Sequence, residues 1–161
     1  MRIGILSDTH FDDIAKGIVF LNSLMDGPFQ GVEMVLHAGD LVRDEVLDGV
    51  TGCPVYAVRG NMDVKSDFPF KRVVSAGSFQ VGLIHGWGPP LNLERRLVEE
   101  FASERLDVLV YGHSHRPVCH KVGDILIFNP GSAADRRDAP HHTVGILHVN
   151  DVIHGEIINL D

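Results

Sequence analysis

The N-terminal third of the chain alternates strand-like and helix-like runs, and that order leaves few folds open. "RIGILS" (Arg2–Ser7) is short, apolar and stopped by polar residues, as a buried strand is. "DIAKGIVFLNSLM" then places Ile14, Ile18, Leu21 and Met25 on one face of a helix. "EMVLHAGD" predicts a second strand, "DEVLDGV" a short helix and "CPVYAVRGN" a third strand. A β-α-β-α-β order favours a parallel sheet covered by helices.

The middle of the chain changes character. "FKRVVSAG" and "FQVGLIHG" read as strands around a Gly77-Ser78 turn. After Pro89-Pro90, "NLERRLVEEFASERL" sets Leu93, Leu97 and Phe101 at i, i+4, i+8, with Leu106 one residue off that register. This predicts a helix whose charged residues form a solvated face. "DVLVYGH" is another strand, and "PVCHKVG", "DILIFNPG", "TVGILHVN" and "VIHGEIINL" follow as strands separated by turns. With no repeat, low-complexity tract or linker, the expectation is one compact α/β domain over residues 1–161, with two sheets packed together.

Composition narrows the function. A length of 161 residues with 44% hydrophobic content suits a single buried core. The net charge of −8 argues against a nucleic acid polymer as partner, because phosphate backbones demand a positive footprint. It leaves room for a small phosphorylated molecule, since bound metals reverse the local sign. Cys53 and Cys119 form no CxxC pair and imply no disulfide framework, so a reducing cytoplasm is expected. No apolar run reaches the ~18 residues that span a bilayer. "RIGIL" begins at position 2, which leaves no room for a signal peptide. No membrane association is therefore expected. Apolar edge strands leave a homo-oligomer open.

The polar residues collect at strand ends. Asp8-Thr9-His10 follows the first strand, Gly39-Asp40 the second and Gly60-Asn61-Met62-Asp63 the third; His85-Gly86 and Gly112-His113-Ser114-His115 follow later ones. Carboxyl ends of parallel strands line one crevice, so these groups can converge although distant in sequence. Asp8, His10, Asp40, Asn61, His85, His113 and His115 are oxygen and imidazole donors without a thiolate, which suits Mn²⁺, Fe²⁺, Zn²⁺ or Ni²⁺. Seven donors exceed the four of a structural zinc and fit two ions sharing a carboxylate. Ions ~3.5–4 Å apart can clamp the attacking and leaving oxygens of phosphoryl transfer. Taken singly, "DTH", Gly39-Asp40, Gly60-Asn61 and His85 are ordinary turns or strand-end residues. Their joint placement at strand ends is what points to one site. His37, in "LHAGD", reads as a buried histidine supporting the ligands rather than one of them. Arg136-Arg137, His141-His142, His120, His148 and His154 read as solvated or structural, and Asn129, Gly131 and Ser132 as a loop rimming the cleft.

The order D-x-H, GD, GN-x-D, H, GH-x-H resembles the calcineurin-like metallophosphoesterases, and "ILSDTH", "VLHAGD", "VRGNMD" and "IFNPGS" look like their small single-domain phosphodiesterase branch. The resemblance runs from Met1 to about Ser132. It implies a four-layer α/β/β/α sandwich of two packed mixed sheets flanked by helices. It also implies two divalent ions, manganese first, with iron, nickel or zinc as alternatives. Asp8, His10, Asp40 and His115 would hold the first ion; Asp40, Asn61, His85 and His113 would hold the second, with Asp40 bridging. A metal-bridging hydroxide would attack the phosphorus of a small phosphodiester, with Asp40, Asn61 and His85 as the catalytic group and Asp63 orienting a neighbour by a hydrogen bond. Many relatives have GNHD where this chain has Met62, which carries no proton for a leaving group.

Three rival readings follow. A non-catalytic protein-interaction scaffold of the same fold, similar to the retromer scaffold subunit, would be expected to have substituted ligand positions, and here all are intact. A metallo-β-lactamase fold requires HxHxDH, but Arg116-Pro117 follows His113-x-His115. A purely structural protein leaves the strand-end donors unexplained.

Overall fold

The computed structural model describes residues Met1–Asp161. The first sheet has the order β10-β9-β1-β2-β3, with β1 (Arg2–Leu6), β2 (Met34–His37), β3 (Val55–Ala57), β9 (Thr143–Val149) and β10 (Ile153–Asn159). The second has the order β4-β5-β6-β8-β7, with β4 (Lys71–Ala76), β5 (Phe79–Ile84), β6 (Val108–Val110), β7 (Val118–Val122) and β8 (Ile125–Asn129). β1, β2 and β3 run parallel, as do β5, β6 and β8; β9, β10, β4 and β7 join antiparallel. Both sheets are therefore mixed.

Side-chain alternation builds the layers. Ile3 and Ile5 of β1 face the space between the sheets with Leu36, Val81, Leu83, Val108, Val110, Phe128 and Leu147. Leu6, Val35, Val144 and Ile146 point the other way, onto helix α1 (Ile14–Asp26). Ile84, Leu109 and Ile127 turn outward from the second sheet onto α2 (Leu93–Glu100). The result is helix on sheet, sheet on sheet, sheet on helix. Full burial of each large apolar side chain contributes about 1.5–3 kcal/mol.

The helices depart in detail from the sequence reading. Asp13 caps α1, accepting the Lys16 N–H at 3.1 Å. Its most buried positions are Gly17, Leu21 and Leu24, with Ile14, Ile18 and Met25 at the flanks of the stripe. α2 ends at Glu100 rather than continuing to Leu106. Phe101 and Leu106 still reach the α2 core because the chain folds back in turns, filling the space above Gly82. The short helix in "DEVLDGV" is a 3-10 turn, Asp44–Gly49.

Parallel order fixes where the polar residues go. Asp8 and Asp40 leave the carboxyl ends of β1 and β2; His85 and Gly112 leave those of β5 and β6. These ends meet at one edge of the sandwich, where Gly112 N–H donates to the His85 carbonyl at 2.9 Å and His113 N–H to Asp8 Oδ2 at 3.0 Å.

Candidate metal centre

The loops that carry the donors are held in costly conformations. Asp8, His10, Asp40, His113 and His115 have φ of 54°, 49°, 59°, 70° and 56°. The left-handed region costs an L-residue about 1–2 kcal/mol, and such strain collects at functional sites. Asp8 N–H bonds the Gly39 carbonyl at 3.0 Å and His10 N–H the Asp40 carbonyl at 3.1 Å, lacing the first two loops together. Two glycines permit the packing. A Cβ on Gly112 would overlap Ser7 Oγ, and one on Gly60 would overlap Asp40 Oδ1.

Five of the expected donors converge. Asp8 Oδ1 lies 3.1 Å from His115 Nε2 and 3.9 Å from both His10 Nε2 and His85 Nε2. Asp40 Oδ2 lies 3.2 Å from His10 Nε2 and 3.4 Å from His85 Nε2. Asp8, His10 and His115 make one group of ligand atoms mutually within 4.8 Å, and Asp8, Asp40 and His85 another. Both carboxylates thus stand between the imidazoles, whereas the sequence reading gave that place to Asp40. Asn61 and His113 sit beside the buried group in more open positions. His113 Nδ1 is 3.2 Å from Asn61 Oδ1, and its ring meets His85 edge-on at 5.4 Å.

The imidazoles are oriented by their far nitrogens. His85 Nδ1 bonds the Ala38 carbonyl at 2.7 Å, and His115 Nδ1 bonds the Asp135 carbonyl. Each carbonyl takes an N–H, which leaves Nε2 a lone pair aimed at the carboxylates. Asp8 Oδ1, His85 Nε2 and His115 Nε2 are buried without any hydrogen-bond partner. Buried polar atoms rarely stay unsatisfied, and three acceptors converging on one space need a cation among them, a proton or a metal ion.

Charge follows the same geometry. Burial pushes the Asp40 carboxyl up, but the His10 and His85 imidazoles beside it and the Met62 N–H hold it well below the carboxylate range. Burial likewise opposes ionisation of Asp8, and the adjoining His115 and His85 imidazoles, with the Ser7 hydroxyl, outweigh it, so its pKa is lowered. The Asp40 hydrogen bond raises His10; for His85, burial lowers and the nearby Asp40 and Asp8 carboxylates raise, with a net increase. Both imidazoles stand ready to exchange a proton for a metal. Burial pushes His37 down to about 4. It stays neutral, accepting the Gly39 N–H on Nδ1 at 3.1 Å and lying 3.1 Å from Thr9 Oγ1 through Nε2.

Asp63 is buried and takes three backbone N–H groups: Asp40 at 2.8 Å, Val42 at 2.7 Å and Gly60 at 2.7 Å. It ties the Asp40 loop to the Asn61 loop. Asp135 was not singled out by the sequence. Its carboxylate lies 3.1 Å from His10 Nδ1 and its carbonyl orients His115, so one residue sets two rings. Ser132, in the rim loop, holds it by accepting the Asp135 N–H at 2.8 Å while donating to the Asp8 carbonyl at 2.8 Å. Asn129 braces the opposite turn through the Gly112 carbonyl at 3.1 Å. A serine three residues before an aspartate, just past "NPG", was the one available signal. His120, His141, His142 and His148 pair instead with Glu94, Asp161 and Glu156. An open cleft of about 500 Å³, lined by Val42, Arg43, Met62, Val64 and Lys65 among others, adjoins Asp40 through the Met62 N–H.

Residues 1–152 match the model of the calcineurin-like phosphoesterase superfamily domain. A probable metallophosphoesterase of Methanothermobacter thermautotrophicus is 39% identical over 135 residues, 82% of this chain and 77% of that one. A conserved protein of Streptococcus pneumoniae TIGR4, described as a predicted phosphoesterase, superposes with a TM-score of 0.80 at 24% identity, covering 98% of this chain and 88% of that one. Vps29 of Entamoeba histolytica complexed with zinc superposes with a TM-score of 0.68 at 25% identity over 100% of both chains.

Proposed function

The chain belongs to the calcineurin-like phosphoesterase superfamily, and from that membership we propose that it is a metal-dependent phosphodiesterase acting on a small phosphodiester through two divalent ions. The observation that carries this reading is the trio Asp8 Oδ1, His85 Nε2 and His115 Nε2, buried, convergent and unbonded. The donor set fits the ions. Asp8, His10, Asp40 and His115 would hold one, and Asp40, Asn61, His85 and His113 the other. Oxygen and imidazole donors without thiolate suit manganese, with iron, nickel or zinc accepted by the same ligands. Bound there, such ions lower the pKa of water and neutralise phosphoryl oxygens.

The chain's own residues do the rest. Asp63 and Asp135 hold the ligands in place before substrate arrives, so no reorganisation is needed at the reaction. Asn61, exposed at the mouth, would offer its amide N–H to a phosphoryl oxygen. Met62 is 50% exposed in the adjoining cleft and has no proton for a departing alkoxide. Diesters with acidic leaving groups are therefore the favoured substrates. The net charge of −8 disfavours a nucleic acid polymer. No helix is long and apolar enough to cross a membrane, and the proposal places the reaction in the cytoplasm.

Asp40→Ala should abolish both metal occupancy and hydrolysis of a chromogenic phosphodiester. Full activity in that variant would overturn the proposal. Because a Vps29 of the same fold is seen with zinc, hydrolysis rather than metal content separates the scaffold reading: turnover of the chromogenic diester is expected of the enzyme and none of a scaffold.

A further inference from the structure

Two adjacent arginines of α2 behave differently. Arg95 pairs with Glu99 at 2.9 Å, an exposed ion pair one helical turn apart. Arg96 turns back over the start of the helix and donates to three carbonyls: Leu91 at 2.5 Å, Trp87 at 2.8 Å and Pro89 at 2.9 Å. The solvated-face expectation therefore fails at this position. All three carbonyls belong to the segment between β5 and α2, where Gly86, Gly88 and Asn92 have φ of 107°, 73° and 56°. Asn92 makes no side-chain cap to α2. The guanidinium is what gathers this segment against the helix, a task suited to its planar fork of donors.

Another carbonyl of the same segment faces the metal centre. Gly88 O lies 3.0 Å from His113 Nε2 and accepts its N–H. With the proton on Nε2, His113 Nδ1 carries a lone pair, and it lies 3.2 Å from the amide oxygen of Asn61. An ion between them would satisfy both acceptors; without one, a turn of the Asn61 amide would let its NH₂ donate to Nδ1.

We propose that Arg96 is a positioning residue for the ion held by Asn61 and His113: by fixing residues 87–91 it aims the Gly88 carbonyl, which sets the His113 tautomer. The proposal rests on the two-ion reading above and goes beyond it by assigning control of one ion to a helix that supplies no ligand.

Manganese titration of metal-free protein tests it, followed by calorimetry and by the electron-spin signal of coupled ions. Wild type should bind two ions. Arg96→Ala should keep the ion at Asp8, His10 and His115 with unchanged affinity and weaken the other about 10–100-fold, the range for loss of a residue that orients a ligand. In a His113→Ala background the Arg96 change should add nothing. Nitrogen-resolved spectra of metal-free wild type should show His113 as the Nε2–H form, and Arg96→Ala a mixture. Should Arg96→Ala not fold, the test passes to Arg96→Lys, which cannot span three carbonyls, and to the wild-type tautomer. Unchanged affinity for the second ion, equal weakening of both ions, or mixed tautomers in wild type would overturn the proposal. A wild type that binds no ions would instead sink the two-ion reading on which it stands.

Discussion

Asp63→Asn removes one charge and one acceptor from a buried junction, and its cost can be worked from the bonds present. Asp63 Oδ2 takes the N–H of Asp40 at 2.8 Å and of Gly60 at 2.7 Å, while Oδ1 takes that of Val42 at 2.7 Å. Asparagine has a single acceptor oxygen. If it keeps Asp40 and Gly60, its NH₂ group faces the Val42 N–H, donor against donor. A hydrogen bond to a charged group contributes about 1.5–3 kcal/mol and a neutral one about 0.5–1.5 kcal/mol. Losing one charged bond and neutralising two others costs about 3.5–6 kcal/mol. For a chain of this size each kcal/mol lowers Tm by about 2–4 °C, so a drop of roughly 7–24 °C is expected. The same bonds hold Asp40 and Val42 at φ of 59° and 74°, so the variant should also lose manganese affinity. Urea unfolding of chelator-treated protein gives the stability, and competition with a metal-sensitive dye gives the affinity. A loss under about 1 kcal/mol with unchanged metal binding would show that Asp63 does not hold Asp40 in place.

Three further outcomes follow from the same geometry. Asp8 and Asp40 are held below 3.8, so their stabilisation is present above that pH and lost as pH falls through their folded values. His10 and His85 are raised above 6.5, so theirs is full below 6.5 and lost as pH rises through their folded values. The melting temperature of metal-free protein should therefore peak between these limits, and manganese should move the peak to higher pH; a metal-free curve flat from pH 6.5 upward contradicts this. Gly112→Ala should displace Ser7 and Asp8 and lower metal occupancy, measured by atomic emission, because the new Cβ overlaps Ser7 Oγ. Met62→His should raise turnover of alkyl phosphodiesters by about 10²–10⁴-fold, the range for a positioned general acid, and leave nitrophenyl diesters nearly unchanged. No gain on alkyl esters would mean that proton supply is not limiting.

The ten strands lie where short apolar runs bounded by glycine, proline, asparagine and aspartate predicted them. The reason is local, since a strand's burial pattern is carried by its own residues. The end of α2 was not legible, because Leu93, Leu97, Phe101 and Leu106 are all buried whether the last two sit on a helix or on the turns that follow it. Asp135 escaped notice because its partners, His10 and His115, lie 125 and 20 residues away. The left-handed backbone at five donors was equally hidden, since aspartate and histidine adopt either conformation.

The amino-acid order alone determined the alternation of elements and the type of donor at each strand end, because side-chain chemistry and hydrophobic period are properties of short segments. It also supplied the glycines that let those ends approach. Only the folded chain decided which nitrogen of each imidazole faces inward, that Asp8 stands as central as Asp40, and that Arg96 binds the carbonyls of Trp87, Pro89 and Leu91. Those outcomes depend on carbonyls brought from distant strands and loops, and hydrogen-bond direction exists only once both partners are in place.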